Sequence, residues 1–318
     1  MLPNNKQNMN FLKLIRYQNL LIIALVQAVF HFGFLKQQEG LLLALNDIEF
    51  ILLIIATVCI AAAGYIINNI VDQETDAISK PEKVIVGKYI SEKTAYNLYI
   101  GFNIVGVLIG FFVANIVFKE SFAAIFIVVA FILYLYATQF KQSLLAGNFL
   151  VSFLVAFSIL LVGVFDLYPV ITLKTRPFLG ILFQIIIDYA IFAFLLTFIR
   201  EVVKDIEDYE GDLKTGMNTL PIYLGKEKTQ KVVFGLSFIP LLALLYYLNA
   251  NFVALEYVLY YTLGFVVAPM LYFIVKLWQA KTQKDFNHLS TVLKLIMITG
   301  ILSIIVITYN LNHISSLG

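Results

Sequence analysis

The chain has 318 residues, of which 61% are hydrophobic and 13% charged, with a formal net charge of +2. Soluble domains carry roughly 45–50% apolar and about 25% charged residues, so this composition excludes a globule surrounded by water and makes lipid the main solvent. The small net charge says nothing about partners, but the placement of the charges does.

A bilayer core about 30 Å thick needs roughly 20 apolar residues of helix, and that ruler finds nine segments: 17–35, 50–70, 95–118, 121–140, 143–165, 180–199, 232–249, 253–275 and 291–311. The first is interrupted by Gln18, Asn19, Gln27 and His31. It follows a polar stretch from Asn4 to Lys13 and lacks a small-residue cleavage site, so it is expected to be a span and not a cleaved signal. The second holds the single cysteine, Cys59, which can form no intrachain disulfide and reads as a small buried hydrophobe. Only Lys119 and Glu120 separate the third and fourth segments, which demands a tight hairpin. Asp188 falls inside the sixth, where a carboxyl is costly unless it lines a cavity or an interface. Trp278, beside Lys276 and Lys281 after the eighth, reads as an interfacial anchor.

The N-terminal segment and the connections after segments two, four, six and eight, with their flanks, hold 18 of the 22 Lys and Arg residues. The positive-inside rule therefore places them in the cytoplasm and leaves the C-terminus outside. Two cytoplasmic connections, 71–94 and 200–231, are longer than a turn requires and contain twelve of the twenty acids. Each follows the second segment of a four-segment block. The expected architecture is all-α: one transmembrane domain over 1–318, made of two four-helix halves plus one helix, with a polar cap on the cytoplasmic side.

The first connection opens with Asn68, Asn69, Asp72, Glu74 and Asp76, followed by Lys80 and Pro81. Asn68, Asp72 and Asp76 recur at i, i+4 and i+8, one stripe on a helix continuing from the second segment. In the second connection Asp205, Asp208 and Asp212 share a face at i, i+3 and i+7. Carboxylates stacked one turn apart repel unless a cation sits between them. Hard oxygen donors with no His or Cys nearby point to Mg²⁺ bound partly through substrate phosphates. Lys80, Lys83, Lys88, Lys204 and Lys214 surround these acids and suit an anionic ligand such as a diphosphate. Gly211, Gly216 and Pro221 place the end of the second acidic helix near Asp212.

These residues resemble the motifs of the UbiA-type intramembrane prenyltransferase superfamily. Its first motif, NDxxDxxxD, is matched by Asn68, Asn69, Asp72 and Asp76, with Asn at the second position; its second, DxxxD, is matched by Asp208 and Asp212. The run from Arg200 to Asp212, then Gly216 and Thr219-Leu220-Pro221, is similar to the branch that prenylates geranylgeranylglyceryl phosphate. Tyr136 and Lys141, followed by Gly147-Asn148, resemble the family's Tyr/Lys element at a spacing of five instead of four, and Arg16 and Asn19 resemble its first-helix Arg/Asn pair.

The resemblance implies Mg²⁺ held by Asp72, Asp76, Asp208 and Asp212 with support from Asn68. Tyr136, Lys141, Lys204, Asp205, Arg16, Asn19 and Lys80 are then expected around the donor and acceptor. It implies a polyprenyl diphosphate donor, a lipid or aromatic acceptor, surrounding membrane lipids and no nucleic acid partner. The 28 Phe, 18 Tyr and one Trp suffice to shield an allylic cation, although most serve lipid-facing and interfacial positions. Two other readings share the acidic stations: an aromatic-acceptor prenyltransferase of quinone, haem or pigment synthesis, and an ion-coupled transporter. The latter ordinarily places its site near the midplane on broken helices.

Overall fold

The computed structural model describes residues 4–79, 81, 84–253 and 255–315. Among these the chain is helical, and nine helices are long and apolar enough to cross a membrane. The reason lies in the solvent. A helix satisfies its backbone hydrogen bonds internally, which lipid cannot do for it.

A short helix α1 (Asn4–Leu14) precedes the first span, a helix that sequence reading did not anticipate. The first span is α2 (Tyr17–Ala28), continued by a π-helical segment over Val29–Phe34 and a tight turn to Gln37. Helix α3 (Asp47–Val71) begins in a capping box: Asn46 Oδ1 accepts from the amides of Ile48 and Glu49 while Glu49 Oε2 accepts from the Asn46 amide. Helix α4 (Gln73–Ser79) follows after one residue. Helices α5 (Glu92–Ile116) and α6 (Ala123–Thr138) form the expected hairpin, with a single tight turn over Glu120–Phe122 between them.

The remaining elements are α7 (Ala146–Asp166), α8 (Arg176–Thr215), α9 (Leu220–Leu224), α10 (Lys226–Asn251), α11 (Glu256–Thr262), α12 (Ala268–Gln279) and α13 (Gln283–Ser315). A π-helical stretch, Leu263–Val267, joins α11 to α12 as one span. Helices α3, α5 and α6 pack together, α7 packs on α8, and α13 packs on both α8 and the π segment of the first span. The first and ninth spans are therefore neighbours. Buried Cys59, 8% exposed, takes the packing role expected of it. Trp278 stays 60% exposed and lies against Phe234, with ring centroids 4.8 Å apart.

Two boundaries differ from the sequence reading, and both bear on the site. Helix α8 does not end near Asp212 but runs forty residues to Thr215, carrying Gly211 within it. Gly216, at φ 70, supplies the left-handed residue that ends it, and the Met217 amide closes back on the Asp212 carbonyl at 3.0 Å. The first acidic stripe is not one unbroken helix. Asp72 is the C-cap of α3, and α4 begins at the next residue. The Asp76 amide still reaches the Asp72 carbonyl at 2.8 Å, so the one-turn spacing survives the break.

Candidate active site

The C-terminal ends of α3, α6 and α8 and the N-terminal end of α7 meet at one end of the bundle. There they enclose a polar cavity lined by Asp76, Tyr136, Lys141, Asn148, Glu201, Lys204, Asp205, Asp208, Asp212 and Thr219, with Thr75, Gly147, Gly211, Thr215 and Met217 completing the wall. Helix α4 lies against α8, which brings the two acidic stations together across more than a hundred residues of sequence. Acids outnumber lysines in this wall, so the cavity favours cations.

The second station is held from three sides. Asn148 Nδ2 donates to Asp205 Oδ2 at 2.6 Å, Lys204 Nζ donates to Glu201 Oε2 at 2.9 Å, and Thr219 Oγ1 donates to Asp212 Oδ2 at 3.1 Å. Gly147 sets the position of Asn148. A Cβ there would lie 2.7 Å from the carbonyl oxygen of Phe140, so only glycine lets α7 start this close to the 140–142 turn. That turn also presents Lys141 to the cavity.

Asp72 departs from expectation. It is 5% exposed and lies behind the cavity wall, because the Lys141 ammonium and the Asn68 amide, at 2.9 Å, both donate to its Oδ2. Asn68 Oδ1 is buried without a hydrogen-bond partner. Asn69 turns away: its Nδ2 donates to the carbonyls of Leu14 at 3.3 Å and Tyr65 at 2.8 Å, tying α3 to the end of α1. Tyr136 sits where the charges of Glu201, Arg16, Asp205 and Asp72 all act on it.

Arg16 and Asn19 are not in the cavity wall. Arg16 adopts the left-handed conformation at φ 49 between α1 and α2, with its guanidinium 5.3 Å from the centre of the Tyr65 ring. Asn19 Oδ1 accepts from Lys294 Nζ at 3.2 Å. Lys80 lies outside the described residues. Glu201 and Thr219 were not among the expected site residues, although both fall in the stretch that carries the branch resemblance and Glu201, four before Asp205, shares its stripe.

The donor set suits a hard cation such as Mg²⁺. Asp76, Glu201, Asp205, Asp208, Asp212 and Thr219 offer oxygen in the cavity wall, and Asn68 keeps a buried carbonyl oxygen unspent beside Asp72. Among the described residues, no three His, Cys, Asp or Glu side chains form a ready-made metal cage.

A second cavity is apolar and lies between α8 and α10–α13, lined by Tyr189, Phe192, Leu196, Leu244, Phe252 and Met297 among others. Asp188 reaches its wall, where Tyr247 donates to Oδ2 at 3.0 Å and Gln184 to Oδ1 at 2.9 Å, in keeping with the cavity role expected of it. At the opposite end of the bundle, His31 and Asp166 are fully buried and joined at 2.7 Å. His31 is thus remote from the acidic cavity.

Known proteins share this chain's fold and much of its sequence. The chain is 30% identical over 295 residues to the digeranylgeranylglyceryl phosphate synthase of Saccharolobus solfataricus, an alignment covering 92% of this chain and 95% of that one. A solved structure described as a digeranylgeranylglyceryl phosphate synthase in membranes superposes with a TM-score of 0.64 at 25% identity, covering 95% of this chain and 98% of its own. A UbiA homologue from Archaeoglobus fulgidus, solved with GPP and Mg²⁺, shares the fold at a TM-score of 0.59 and 17% identity, over 93% of this chain and 99% of that one. The pattern of the UbiA prenyltransferase family matches residues 40–298, which takes in both acidic stations and all but the first and last stretches of the bundle. This integral, multi-pass membrane protein belongs to the UbiA prenyltransferase family.

Proposed function

We propose that the chain transfers a geranylgeranyl group from its diphosphate to the free hydroxyl of geranylgeranylglyceryl phosphate, at the cytoplasmic face of the membrane and with Mg²⁺. One observation carries the reading: Asp76 from the first station and Asp208 and Asp212 from the second line a single cavity with Tyr136, Lys141 and Lys204. Relatives bearing the name digeranylgeranylglyceryl phosphate synthase support the acceptor, and the Archaeoglobus fulgidus homologue bound to GPP and Mg²⁺ supports the donor and the metal. The cytoplasmic placement rests on the distribution of Lys and Arg among the connections.

Asp76, Asp208 and Asp212, which line the cavity, would hold the metal, while Asp72, behind the wall, would back the first station through Lys141 and Asn68, whose carbonyl oxygen is unspent. Bound Mg²⁺ supplies positive charge against the oxygens of the departing diphosphate. Lys141 and Lys204 add charge-assisted donors in the wall of the same cavity. Lys141 is held by Asp72, which fixes the position of its ammonium.

The allylic C–O bond breaks with its electron pair leaving on the diphosphate. The acceptor hydroxyl oxygen then bonds to the allylic carbon and gives up its proton. Tyr136 presents an aromatic ring and a hydroxyl beside the acids, suited to stabilise positive charge on carbon and to order the reacting groups. No strong base is required when the electrophile is a cation. The three cavity carboxylates thereby keep one task, gathering the cations that hold the leaving group.

The test is a product assay. Purified protein with geranylgeranyl diphosphate and Mg²⁺ is given either geranylgeranylglyceryl phosphate or a hydroxybenzoate, and products are identified by mass. The digeranylgeranyl ether is expected from the first acceptor. Product from the aromatic acceptor alone would assign the chain to another branch.

A further inference from the structure

The link between α8 and α9 does more than end one helix and begin the next. Thr219 stands at the N-cap of α9 and is 4% exposed, yet its hydroxyl makes no bond to the first turn of that helix. An N-cap hydroxyl ordinarily accepts from the amide two or three residues on. The nearer of those positions is Pro221, which has no amide hydrogen. The Thr219 hydroxyl instead donates to Asp212 Oδ2 at 3.1 Å. One residue earlier, the Asn218 amide donates to the Gln142 carbonyl at 3.2 Å. The far side of the link is anchored by fully buried Thr229, whose hydroxyl lies 3.4 Å from the Leu220 carbonyl and 3.0 Å from that of Gly225.

These bonds make the link a bridge between the two stations. Gln142 belongs to the turn that carries Lys141, and Lys141 grips Asp72 at the end of α3. A continuous path of the chain's own groups therefore runs from Asp72 through Lys141, Gln142, Asn218 and Thr219 to Asp212. The chemistry at the Asp212 end is selective. The last side-chain torsion of an aspartate is broad, so a carboxylate among like charges turns away from them unless something holds it. A lysine would hold it but would also neutralise it and compete with a metal. A hydroxyl orients the carboxylate and leaves its charge in place.

We propose that Thr219 is a positioning residue for the metal: its hydroxyl sets the Asp212 carboxylate in the cavity wall, and the 216–219 link keeps that carboxylate in register with Lys141 and the first station. The proposal rests on the reading above, in which Asp212 helps to hold Mg²⁺ on a diphosphate. Carboxylates that bind metal are themselves hydrogen-bonded, and loss of such a supporting bond typically weakens the metal about ten- to a hundredfold. Valine matches the outline of threonine without its hydroxyl. Replacing one by the other should therefore act on the metal and leave the shape of the cavity alone.

The test is binding, not turnover. The full chain in detergent is given a non-hydrolysable geranylgeranyl thiodiphosphate, and binding is titrated with Mg²⁺. In Thr219→Val the Mg²⁺ concentration for half-maximal binding should rise about tenfold or more, while affinity at saturating Mg²⁺ approaches that of wild type. Thr219→Ser, which keeps the hydroxyl, should restore the wild-type Mg²⁺ dependence. Thr219→Ala should behave as Thr219→Val and takes its place if the valine protein does not fold. A wild-type Mg²⁺ midpoint without the hydroxyl would overturn the proposal. A loss of saturating affinity with the midpoint unmoved, or a serine variant no better than valine, would reduce Thr219 to packing and overturn it too. Failure of the metal reading itself looks different: wild-type protein would then bind the analogue without regard to Mg²⁺.

Discussion

The two ends of the bundle solve the problem of charge inside a membrane protein in opposite ways. At one end, His31 and Asp166 are fully buried and joined at 2.7 Å through Nδ1 and Oδ2, while His31 Nε2 and Asp166 Oδ1 are buried without a hydrogen bond and the His31 ring stacks on Phe50 at a centroid distance of 3.8 Å. Asp47 stands 3.8 Å from the far nitrogen of that ring and is itself held by Lys36 at 2.6 Å. At the other end, Asp76, Asp205, Asp208, Asp212 and Glu201 line one cavity together with Lys141 and Lys204. The first group pairs one acid with one imidazole and pins the end of the first span to α3 and α7. The second gathers several carboxylates around one space, an arrangement that a cation stabilises. Clustering of like charge, more than burial, distinguishes the two ends.

The contrast breaks most sharply under substitution of a cavity acid. Asp208→Ala is expected to lower turnover by 10³-fold or more, roughly 4 kcal/mol of transition-state stabilisation, while the protein still inserts and purifies at wild-type yield. Steady-state assay beside thermal unfolding checks both halves. Stripping divalent metal with a chelator should abolish diphosphate release, and added Mg²⁺ should restore it.

At the His31 end the effect should reverse. Asp166→Ala leaves a buried imidazole without its partner and should cost about 3 kcal/mol of stability, read as a lower unfolding temperature, with turnover of the folded fraction retained. Gly147→Ala tests the joint between scaffold and site. Its methyl would meet the Phe140 carbonyl at 2.7 Å, so about 1–3 kcal/mol of strain is expected, with activity falling as Lys141 and Asn148 are displaced.

Much of this was legible in the sequence because lipid imposes a simple ruler. Nine apolar stretches appeared as nine spans, and the one-turn recurrence of Asp72 with Asp76 and of Asp208 with Asp212 marked the residues that the fold draws to one end. The extent of α8 was not legible. Its apolar pattern stops at Ile199, yet the polar continuation stays helical to Thr215 because Val202, Val203 and Ile206 remain buried on one face. Pairing was equally hidden. Nothing local in sequence announces that Lys141 will cover Asp72, that His31 will meet Asp166 across 135 positions, or that Lys294 will reach Asn19 across 275. Such contacts depend on which helices become neighbours, and periodicity is silent on that.

The central claim is that two stations, each too weak alone, grip one metal-bound diphosphate. Mg²⁺-dependent binding of a non-hydrolysable geranylgeranyl thiodiphosphate tests it most directly, compared across wild type, Asp76→Ala and Asp212→Ala. Joint grip predicts that either substitution alone weakens binding by at least tenfold, with no affinity beyond background when Mg²⁺ is withheld. Wild-type affinity in either variant would mean that one station suffices and would contradict it.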